Sequence, residues 1–401
     1  MATVATDTVA LTAQQELVRE SIRDICSEFD EEYWREKDRA AEYPTEFVTE
    51  LADHGWLGIL VPEAYGGAGM GTAEVVVMME EIAASGGGFA AAQAIHGGIY
   101  NSVPIVRHGS EELKERLLPA VAEGDVAIQS LGLTEPNAGS DSTSIETVAE
   151  EQEGEYVING QKIWISRVDA SDYLLVVART TPKSAAEKRT KGISMFLVDI
   201  DDAVDAGTLT MRSIPKTASN AVHAYELWFD DLRAPADNLV GERGNGFYQL
   251  LDGLNEERLV IAAECLGLGE LAIQTGVDYA NERMVFDRPI GMNQAIQHPL
   301  AKAYAELQAA KQLTYSAASA VDEESGRAVG AQANMAKYLA AEAAFAAADA
   351  AVQAHGGFGV AREYDVERYL REARLTRLVP ITQELILNYV GENVLGLPRS
   401  Y

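Results

Sequence analysis

Two segments near the middle of the chain combine residue types that suit ligand binding better than scaffold. Residues 132–141 read Gly-Leu-Thr-Glu-Pro-Asn-Ala-Gly-Ser-Asp, and Ser144 follows three residues later. A turn this rich in Asn, Gly, Ser and Asp can direct backbone N–H groups and a hydroxyl toward an anion. In residues 159–166, Trp164 and Ser166 are two positions apart, so a strand would present an indole and a hydroxyl on one face. We interpret the two segments as parts of one site, although Trp164 taken alone would be a core aromatic.

A pair of acidic residues, Glu256 and Glu257, precedes Arg258 in a segment with helical spacing. Glu257 is three residues after Leu254 and four before Ile261, so it lies on the apolar stripe of that helix. Glu256 is about 200° from Leu254 around the helix and points elsewhere. A carboxylate on a core-facing surface is costly unless it is paired or functional. Glu257 is therefore a candidate general base, and an ion pair with Arg258 or another cation is the alternative.

The elements that must position these residues follow from the hydrophobic periodicity. Residues 1–128 and 241–401 have helical spacing, whereas residues 129–240 have a period of two and several short strands without intervening helices. We predict an α+β chain with an N-terminal all-α domain, a middle antiparallel β-barrel or sandwich, and a C-terminal four-helix bundle. Residues 155–160 are predicted to enter a hairpin turn from which 161–166 return. The last helix is predicted to begin near Pro380.

Composition limits the function classes. The net charge is −30, from 32 basic and 62 acidic residues, which argues against nucleic-acid binding and against docking on anionic membranes. Because the acidity is dispersed, we expect a high-salt host, with an ordinary acidic soluble protein as the alternative. The absence of a long apolar run or a signal-peptide pattern in residues 1–7 leads us to expect a cytoplasmic location. Cys26 and Cys265 are expected to be reduced thiols, and no metal site is predicted.

Two long patterns resemble the signatures of the acyl-CoA dehydrogenase flavoenzymes. Residues 132–144 fit the first, and residues 353–360, with Glu363, Arg368 and Glu372 at fixed offsets, fit the second. The resemblance covers essentially the whole chain. It implies FAD, an acyl-CoA substrate, and α,β-desaturation by α-proton abstraction with β-hydride transfer to flavin N5. It also implies a role in β-oxidation, electron transfer to an electron-transfer flavoprotein, and a homo-oligomer, usually a dimer or a dimer of dimers.

The resemblance also implies roles for individual residues. The backbone of Leu133 and the hydroxyl of Thr134 would bind the pyrimidine edge of the flavin, with Trp164 beside its dimethylbenzene edge. Ser140 would contact the pyrophosphate and the acyl-CoA, and Arg283 the FAD pyrophosphate of a neighbouring subunit. The remaining positions implied to contact the cofactor are Leu131, Gly139, Ser166, Phe286, Gln294, Gln353, Gly356, Gly357, Thr382 and Glu384.

Further matched positions concern the CoA part of the substrate and departures from the family pattern. Asn255 and Arg258 match positions that contact CoA. Asp287 stands where the family usually has Gly, and Val285 where a flavin-bonding Thr is common. Both departures affect details of the FAD contact. His355, among glycines and without an acidic neighbour, is interpreted as structural.

The resemblance leaves the catalytic base to be decided. Most members supply a Glu from a late segment, but residues 371–382 align with it so that Pro380 falls on that Glu. Proline also lacks the backbone N–H that in the family helps to hold the thioester carbonyl. A second family arrangement places a Glu before an Arg on the long helix, which matches Glu257, and Glu384 is the next candidate. A helix-borne Glu suggests branched or longer acyl groups.

Two other functions remain open at this point. One is an oxidase or flavin monooxygenase on the same fold, in which oxygen reaches the flavin. The other is a non-catalytic acyl-CoA-binding or assembly protein, because Pro380 removes the usual base and one carbonyl-holding donor.

Overall fold

The structure is a computed structural model that describes residues 9–323 and 327–399, so residues 1–7, which lack a predicted signal peptide, lie outside the described part. The N-terminal part is helical, as the periodicity predicts. Its helices are α1 (Ala13–Cys26), α2 (Glu31–Ala40), α3 (Thr45–Asp53), α4 (Thr72–Ala84), α5 (Gly88–Tyr100), α6 (Val103–His108) and α7 (Glu111–Glu123). Thr12 begins α1 with a capping box: its hydroxyl accepts from the Gln15 backbone N–H at 3.2 Å, and Gln15 returns the contact at 3.1 Å.

Eight described strands form one sheet in the middle of the chain. They are β1 (Ser130–Gly132), β2 (Val148–Gln152), β3 (Glu155–Ser166), β4 (Tyr173–Arg179), β5 (Ile193–Asp199), β6 (Leu209–Ser213), β7 (Ala224–Pro235) and β8 (Leu239–Val240), with the short helix α8 (Ile200–Asp205) after β5. The hydrogen-bonded order is β6-β7-β3-β2-β4-β5-β8, and β1 pairs with β4. The predicted fold class is confirmed. The sheet is mixed rather than wholly antiparallel, because β1 and β2 both run parallel to β4.

The central strands of this sheet are buried on both faces. Along β4, Leu175 and Val177 pack in the core that includes α7, whereas Leu174 and Val176 belong to a second core on the other face. This two-sided burial explains why residues 174–178 form a continuous apolar run rather than an alternating one.

One predicted turn is wrong. Residues Glu155–Ser166 form the single strand β3 rather than two strands joined at Asn159 and Gly160. The strand continues because β7 pairs with it on both sides of a register shift at this point, so the Asn-Gly pair marks a bulge. The actual hairpin turn lies at Glu153 and Gly154, between β2 and β3, and both residues adopt positive φ.

The C-terminal part is again helical and contains the predicted bundle. Its elements are α9 (Gly246–Leu251), α10 (Leu254–Glu282), α11 (Gln294–Glu323), α12 (Arg327–His355), α13 (Val366–Thr376), α14 (Gln383–Tyr389) and the π-helical turn Val390–Val394, with the small hairpin β9 (Met284–Val285) and β10 (Arg288–Pro289) between α10 and α11. The last α-helix begins at Gln383 rather than near Pro380, because Thr382 caps it by accepting from the Leu385 N–H at 3.4 Å.

Helix α10 is the element around which the helical parts pack. It contacts α4 and α5 from the N-terminal part and α11, α12 and α13 from its own. The stretch Gly246–Glu282 is long and apolar enough to cross a membrane, but 72% of its most apolar window is buried, which is the setting of a core helix. In the part of the chain that the structure describes, no group of three or more His, Cys, Asp or Glu could hold a metal ion.

Both cysteines are free and buried, and burial raises the pKa of Cys26 and of Cys265 to about 12. The thiolate is the form that attacks a disulfide reagent, and it is scarce at neutral pH when the pKa is this high. We expect no reaction of the native protein with a chromogenic disulfide reagent and two equivalents per chain after denaturation, followed by absorbance. Rapid labelling of either thiol before unfolding would contradict this burial.

Candidate active site

Helix α5, the ends of β1 and β3, the start of α10 and the turn after α13 meet around a cavity of about 250 Å³, which we call the acyl cavity. The predicted site residues that reach its wall come from four segments far apart in the sequence. They are Leu131, Thr134, Trp164, Ser166 and Glu257, with Pro380 at the position of the usual family base.

The side chains of Glu256 and Glu257, neighbours on α10, point in different directions, as the helical geometry predicts. Glu257 lines the acyl cavity, and its side chain is 20% exposed. Glu256 is also largely buried but binds Arg107 of α6 at 2.6 Å. Arg258 donates to the Asn255 side-chain oxygen at 2.8 Å rather than to Glu257. The structure therefore shows no ion pair of Glu257 with Arg258, and the part of the structural alternative that stays open is a pair with another cation.

Among the described residues, the cation within ion-pair distance of Glu257 is His96, a residue that the sequence interpretation missed. Its Nε2 lies 3.7 Å from a Glu257 oxygen, and its Nδ1 lies 2.7 Å from an oxygen of Glu264, which is fully buried. Burial opposes protonation of His96, but the Glu264 and Glu257 carboxylates outweigh it and raise its pKa to about 9. The two carboxylates therefore favour the imidazolium form of His96.

Helix α5 presents a polar stripe to the acyl cavity although most of it is apolar. Gln93, His96 and Tyr100 line the cavity at three-and-four spacing, and Gly97 and, just past the end of the helix, Asn101 line it as well. This spacing of polar side chains within an apolar helix was the available signal for them. The Tyr100 ring stacks on His96 with centroids 5.4 Å apart, and its buried hydroxyl has no hydrogen-bond partner among the described residues.

The wall formed by β1 and β3 carries the residues expected beside a flavin ring. Trp164 adopts a positive φ of 62° and remains 56% exposed, and Ser166 and Thr134 border the same cavity. The Thr134 carbonyl accepts from the Ile163 N–H at 2.9 Å, so the two sequence segments are joined here. An uncovered indole flanked by hydroxyls fits an aromatic, hydrogen-bonding ring system such as isoalloxazine.

A buried ion pair fixes the first segment to β3. Lys162 is fully buried; it binds Glu135 at 2.8 Å and donates to the Leu133 carbonyl at 3.1 Å. Burial lowers the pKa of Lys162 to about 8, against the opposing attraction of Glu135. Glu135 in turn accepts from the backbone N–H groups of Glu146 and Thr147 at 2.6 and 3.0 Å. The pair thus sets the path of the backbone at Leu133.

The later part of residues 132–144 is an exposed loop outside the acyl cavity. Gly139 and Ser140 are exposed, and neither lines the cavity. Asp141 binds the Ser144 hydroxyl and Arg189, both at 2.5 Å, and these contacts lower its pKa. Lys183 also donates to Ser144 at 3.0 Å. The loop therefore combines free backbone with two cations, a combination that suits phosphate.

A second cavity, of about 560 Å³, contains the glycines of the second signature and is called the glycine cavity. Arg283, Gly356 and Gly357 line it, and a Cβ built on either glycine would meet no atom within 4 Å. The open backbone beside a guanidinium fits a pyrophosphate and its nucleotide. His355 is structural here: its ring stacks on Tyr279 at 4.0 Å and its Nδ1 bonds the Ala351 carbonyl at 2.8 Å.

Several predicted residues lie outside both cavities. Gln294, Gln353 and Glu384 are exposed, and the Phe286 ring is 93% exposed. Thr382 serves as the cap of α14. Asn255 and Arg258 bond to each other next to α12 and do not line the acyl cavity. Because Glu384 is not near the cavity wall, Glu257 is the predicted base that the fold brings to it.

The charged residues of the second signature have a packing role. Arg368 donates to the carbonyls of Gly86 and Gly87 at 2.7 and 3.1 Å, just before α5. Glu372 accepts from the Ala90 N–H at 3.3 Å, and burial raises its pKa to about 7. These contacts fix the start of α5 on α13 and so position the helix that carries His96.

Comparisons with known proteins agree with this geometry. The chain matches the N-terminal, middle and C-terminal domain models of acyl-CoA dehydrogenase over residues 12–125, 130–232 and 244–395. It is similar to acyl-CoA dehydrogenase FadE12 of Mycobacterium tuberculosis, with 36% identity over 400 residues that cover 99% of this chain and 100% of the relative. It is 33% identical over 383 residues to mitochondrial isovaleryl-CoA dehydrogenase of Pongo abelii, covering 95% and 88%. The solved butyryl-CoA dehydrogenase from Megasphaera elsdenii matches with a TM-score of 0.89 and 30% identity, covering 96% and 99%.

Proposed function

Because this chain belongs to the acyl-CoA dehydrogenase family, whose flavin-dependent oxidoreductase activity and FAD cofactor it shares, we propose that it desaturates an acyl-CoA thioester with Glu257 as the base. The observation that carries the proposal is the position of Glu257. Its carboxylate lines the cavity that Trp164, Thr134 and Ser166 also border, whereas Pro380 occupies the other family position for a base.

The mechanism assigns one task to each part of the acyl cavity. Glu257 removes the α-proton of the thioester, and the surrounding side chains limit the access of water to that step. Thr134, Ser166 and Trp164 would hold the flavin ring, and Arg283 with the glycine cavity would hold the remainder of FAD. FAD, when bound, supplies the two-electron acceptor for the β-hydrogen of the substrate. Pro380 has no N–H, so it donates nothing to the thioester carbonyl.

We further propose that the substrate has a branched or longer acyl group. The support is the base on α10, the arrangement that this chain shares by resemblance with isovaleryl-type members, and its similarity to an isovaleryl-CoA dehydrogenase. A panel from butyryl-CoA to palmitoyl-CoA, with isovaleryl-CoA and isobutyryl-CoA, compares kcat/KM across chain length and branching.

The proposal also includes an electron-transfer flavoprotein as the electron acceptor and assembly as a dimer of dimers. It further includes a role in β-oxidation, a cytoplasmic location and a high-salt host. Exposed apolar side chains around the glycine cavity support self-association, because a second copy would cover them. They are Met284, Phe286, Met292, Phe358 and Val360. The net charge of −30 supports the high-salt host, where screening reduces self-repulsion.

The decisive experiment is anaerobic addition of the acyl-CoA panel to FAD-loaded protein, followed by flavin absorbance. We expect bleaching by at least one thioester and slow reoxidation when air is admitted. Rapid reoxidation would instead support an oxidase or monooxygenase. Failure of every thioester to bleach a fully loaded protein would support a non-catalytic acyl-CoA-binding protein and would end the dehydrogenase proposal.

A further inference from the structure

His96 stands between two carboxylates of α10, only one of which has a role in the proposed reaction. Glu264 lies two helical turns beyond Glu257, and both acids face the same imidazole from opposite ring nitrogens, at 2.7 and 3.7 Å. The second oxygen of Glu264 is buried and has no hydrogen-bond partner among the described residues. Among those residues, His96 is also the one cation within 4 Å of the Glu264 carboxylate. Glu264 therefore has the geometry of a group that orients His96.

The other charged and titratable groups near this cluster do not replace His96. Arg167, at the end of β3, attracts both carboxylates electrostatically, but its guanidinium donates to the backbone carbonyls of Gln93 and Gln129 at 2.6 and 3.2 Å. Tyr43, in the segment before α3, bonds the Ala94 carbonyl at 2.7 Å and interacts electrostatically with Arg167. Tyr100, on α5 itself, stacks on the imidazole. Arg258, on α10 itself, also attracts Glu257 electrostatically but donates to Asn255, so among the described cations His96 is the one within ion-pair distance of Glu257.

We propose that His96, held by Glu264, is a positioning residue for Glu257: its imidazolium keeps the Glu257 carboxylate ionised and directed into the acyl cavity. This inference rests on the proposed function, because it assigns a partner to the proposed base. A carboxylate in a water-poor slot takes up a proton unless a nearby positive charge opposes it. A proton on Glu257 before the substrate binds would remove its capacity to abstract another, so the imidazolium preserves the active form of the base.

The proposal is tested on the FAD-loaded protein by titrating Glu257 directly. Glutamate carboxyls are labelled with ¹³C, and infrared difference spectra against Glu257→Gln isolate the Glu257 carboxyl band as a function of pH. In His96→Gln, the titration should move upward by about one to three pH units, because an opposite charge at this distance lowers a carboxyl pKa by that much. Glu264→Gln should move it in the same direction by less, since His96 remains but is protonated over a narrower range.

A matched control separates this effect from a general loss of a His–Glu contact. His54→Gln removes an exposed histidine that lies 3.4 Å from Glu50 at the end of α3, and it should leave the Glu257 titration unchanged. Circular dichroism and bound flavin content establish that each variant is folded. If Glu257 titrates at the parental pH in both folded His96→Gln and folded Glu264→Gln, the proposal is wrong.

The rate of flavin reduction by acyl-CoA across pH gives the second readout. The acidic limb of the profile should follow the infrared titration in each variant, whereas a merely structural role of His96 would lower the rate equally at every pH. An infrared shift without bleaching by any thioester would leave the His96 assignment intact and defeat the dehydrogenase function. Bleaching by a thioester together with an unchanged Glu257 titration would support the dehydrogenase function and defeat the His96 assignment.

Discussion

Replacing Glu257 with Gln is expected to slow acyl-CoA-dependent flavin reduction by about two to four orders of magnitude, the usual contribution of a general base. Glutamine preserves the shape of the side chain but cannot accept the α-proton. Because the ion-pair contact of this carboxylate among the described residues is the 3.7 Å approach of His96, FAD content and thermal stability should change little. Anaerobic stopped-flow measurement of flavin bleaching gives the rate constant directly.

Glu256→Gln is the matched control for this result. Glu256 is adjacent in sequence and similarly buried, but it binds Arg107 at 2.6 Å rather than facing the acyl cavity. Its substitution should affect stability more than the rate of bleaching. Should Glu257→Gln bleach at the parental rate while Glu256→Gln does not, the base has been assigned to the wrong acid.

The largest expected effect on stability is that of Lys162→Met, which leaves Glu135 buried without its cation. Breaking a buried pair by removing one partner costs about 3–5 kcal/mol. The same change frees the Leu133 carbonyl, so the affinity for FAD should fall as well. Chemical denaturation followed by circular dichroism measures the stability, and flavin fluorescence measures the release of FAD.

Lys114→Met provides the control for removing a lysine ion pair at the surface. Lys114 binds Glu111 at 2.8 Å, but the glutamate is well exposed, so solvent screens the pair and it contributes little to stability. Equal loss of stability in the two variants would mean that the Lys162–Glu135 pair is not the anchor of this segment.

The pH dependence of the stability of Lys162→Met distinguishes loss of the ion pair from a simple loss of packing. Burial disfavours the Glu135 carboxylate, but Lys162 and the bonds to Thr147 and Glu146 outweigh it and lower its pKa. The stability from Glu135 is therefore complete above the ordinary pKa of a glutamate and is lost as the pH falls through the lowered value. Without Lys162, burial raises the folded-state pKa of Glu135, so the loss of stability that Glu135 causes on acidification should shrink or reverse, and parent and variant should differ less in stability at acidic pH than at neutral pH.

Local patterns predicted which segments of the chain meet at the two cavities. The two signatures identified the segments that border the acyl cavity and the glycine cavity, because such turns and glycine runs are recognisable from neighbouring residues alone. Helical geometry distinguished Glu257 from Glu256, since the direction of a side chain around a helix depends only on its own period. The same local reasoning failed at Gly160, where pairing with β7 overrode the turn tendency of Asn-Gly.

The sequence by itself determined the family, the cofactor and which acid lies on the apolar stripe of α10, because each of these depends on residue types at short, fixed spacing. Only the tertiary structure decided what surrounds that acid. His96 meets Glu257 and Glu264 across two helices that are far apart in the chain, and the Arg368 and Glu372 contacts with α5 hold that meeting in place. Such encounters depend on how helices pack, and packing brings together residues whose separation along the chain carries no local signal.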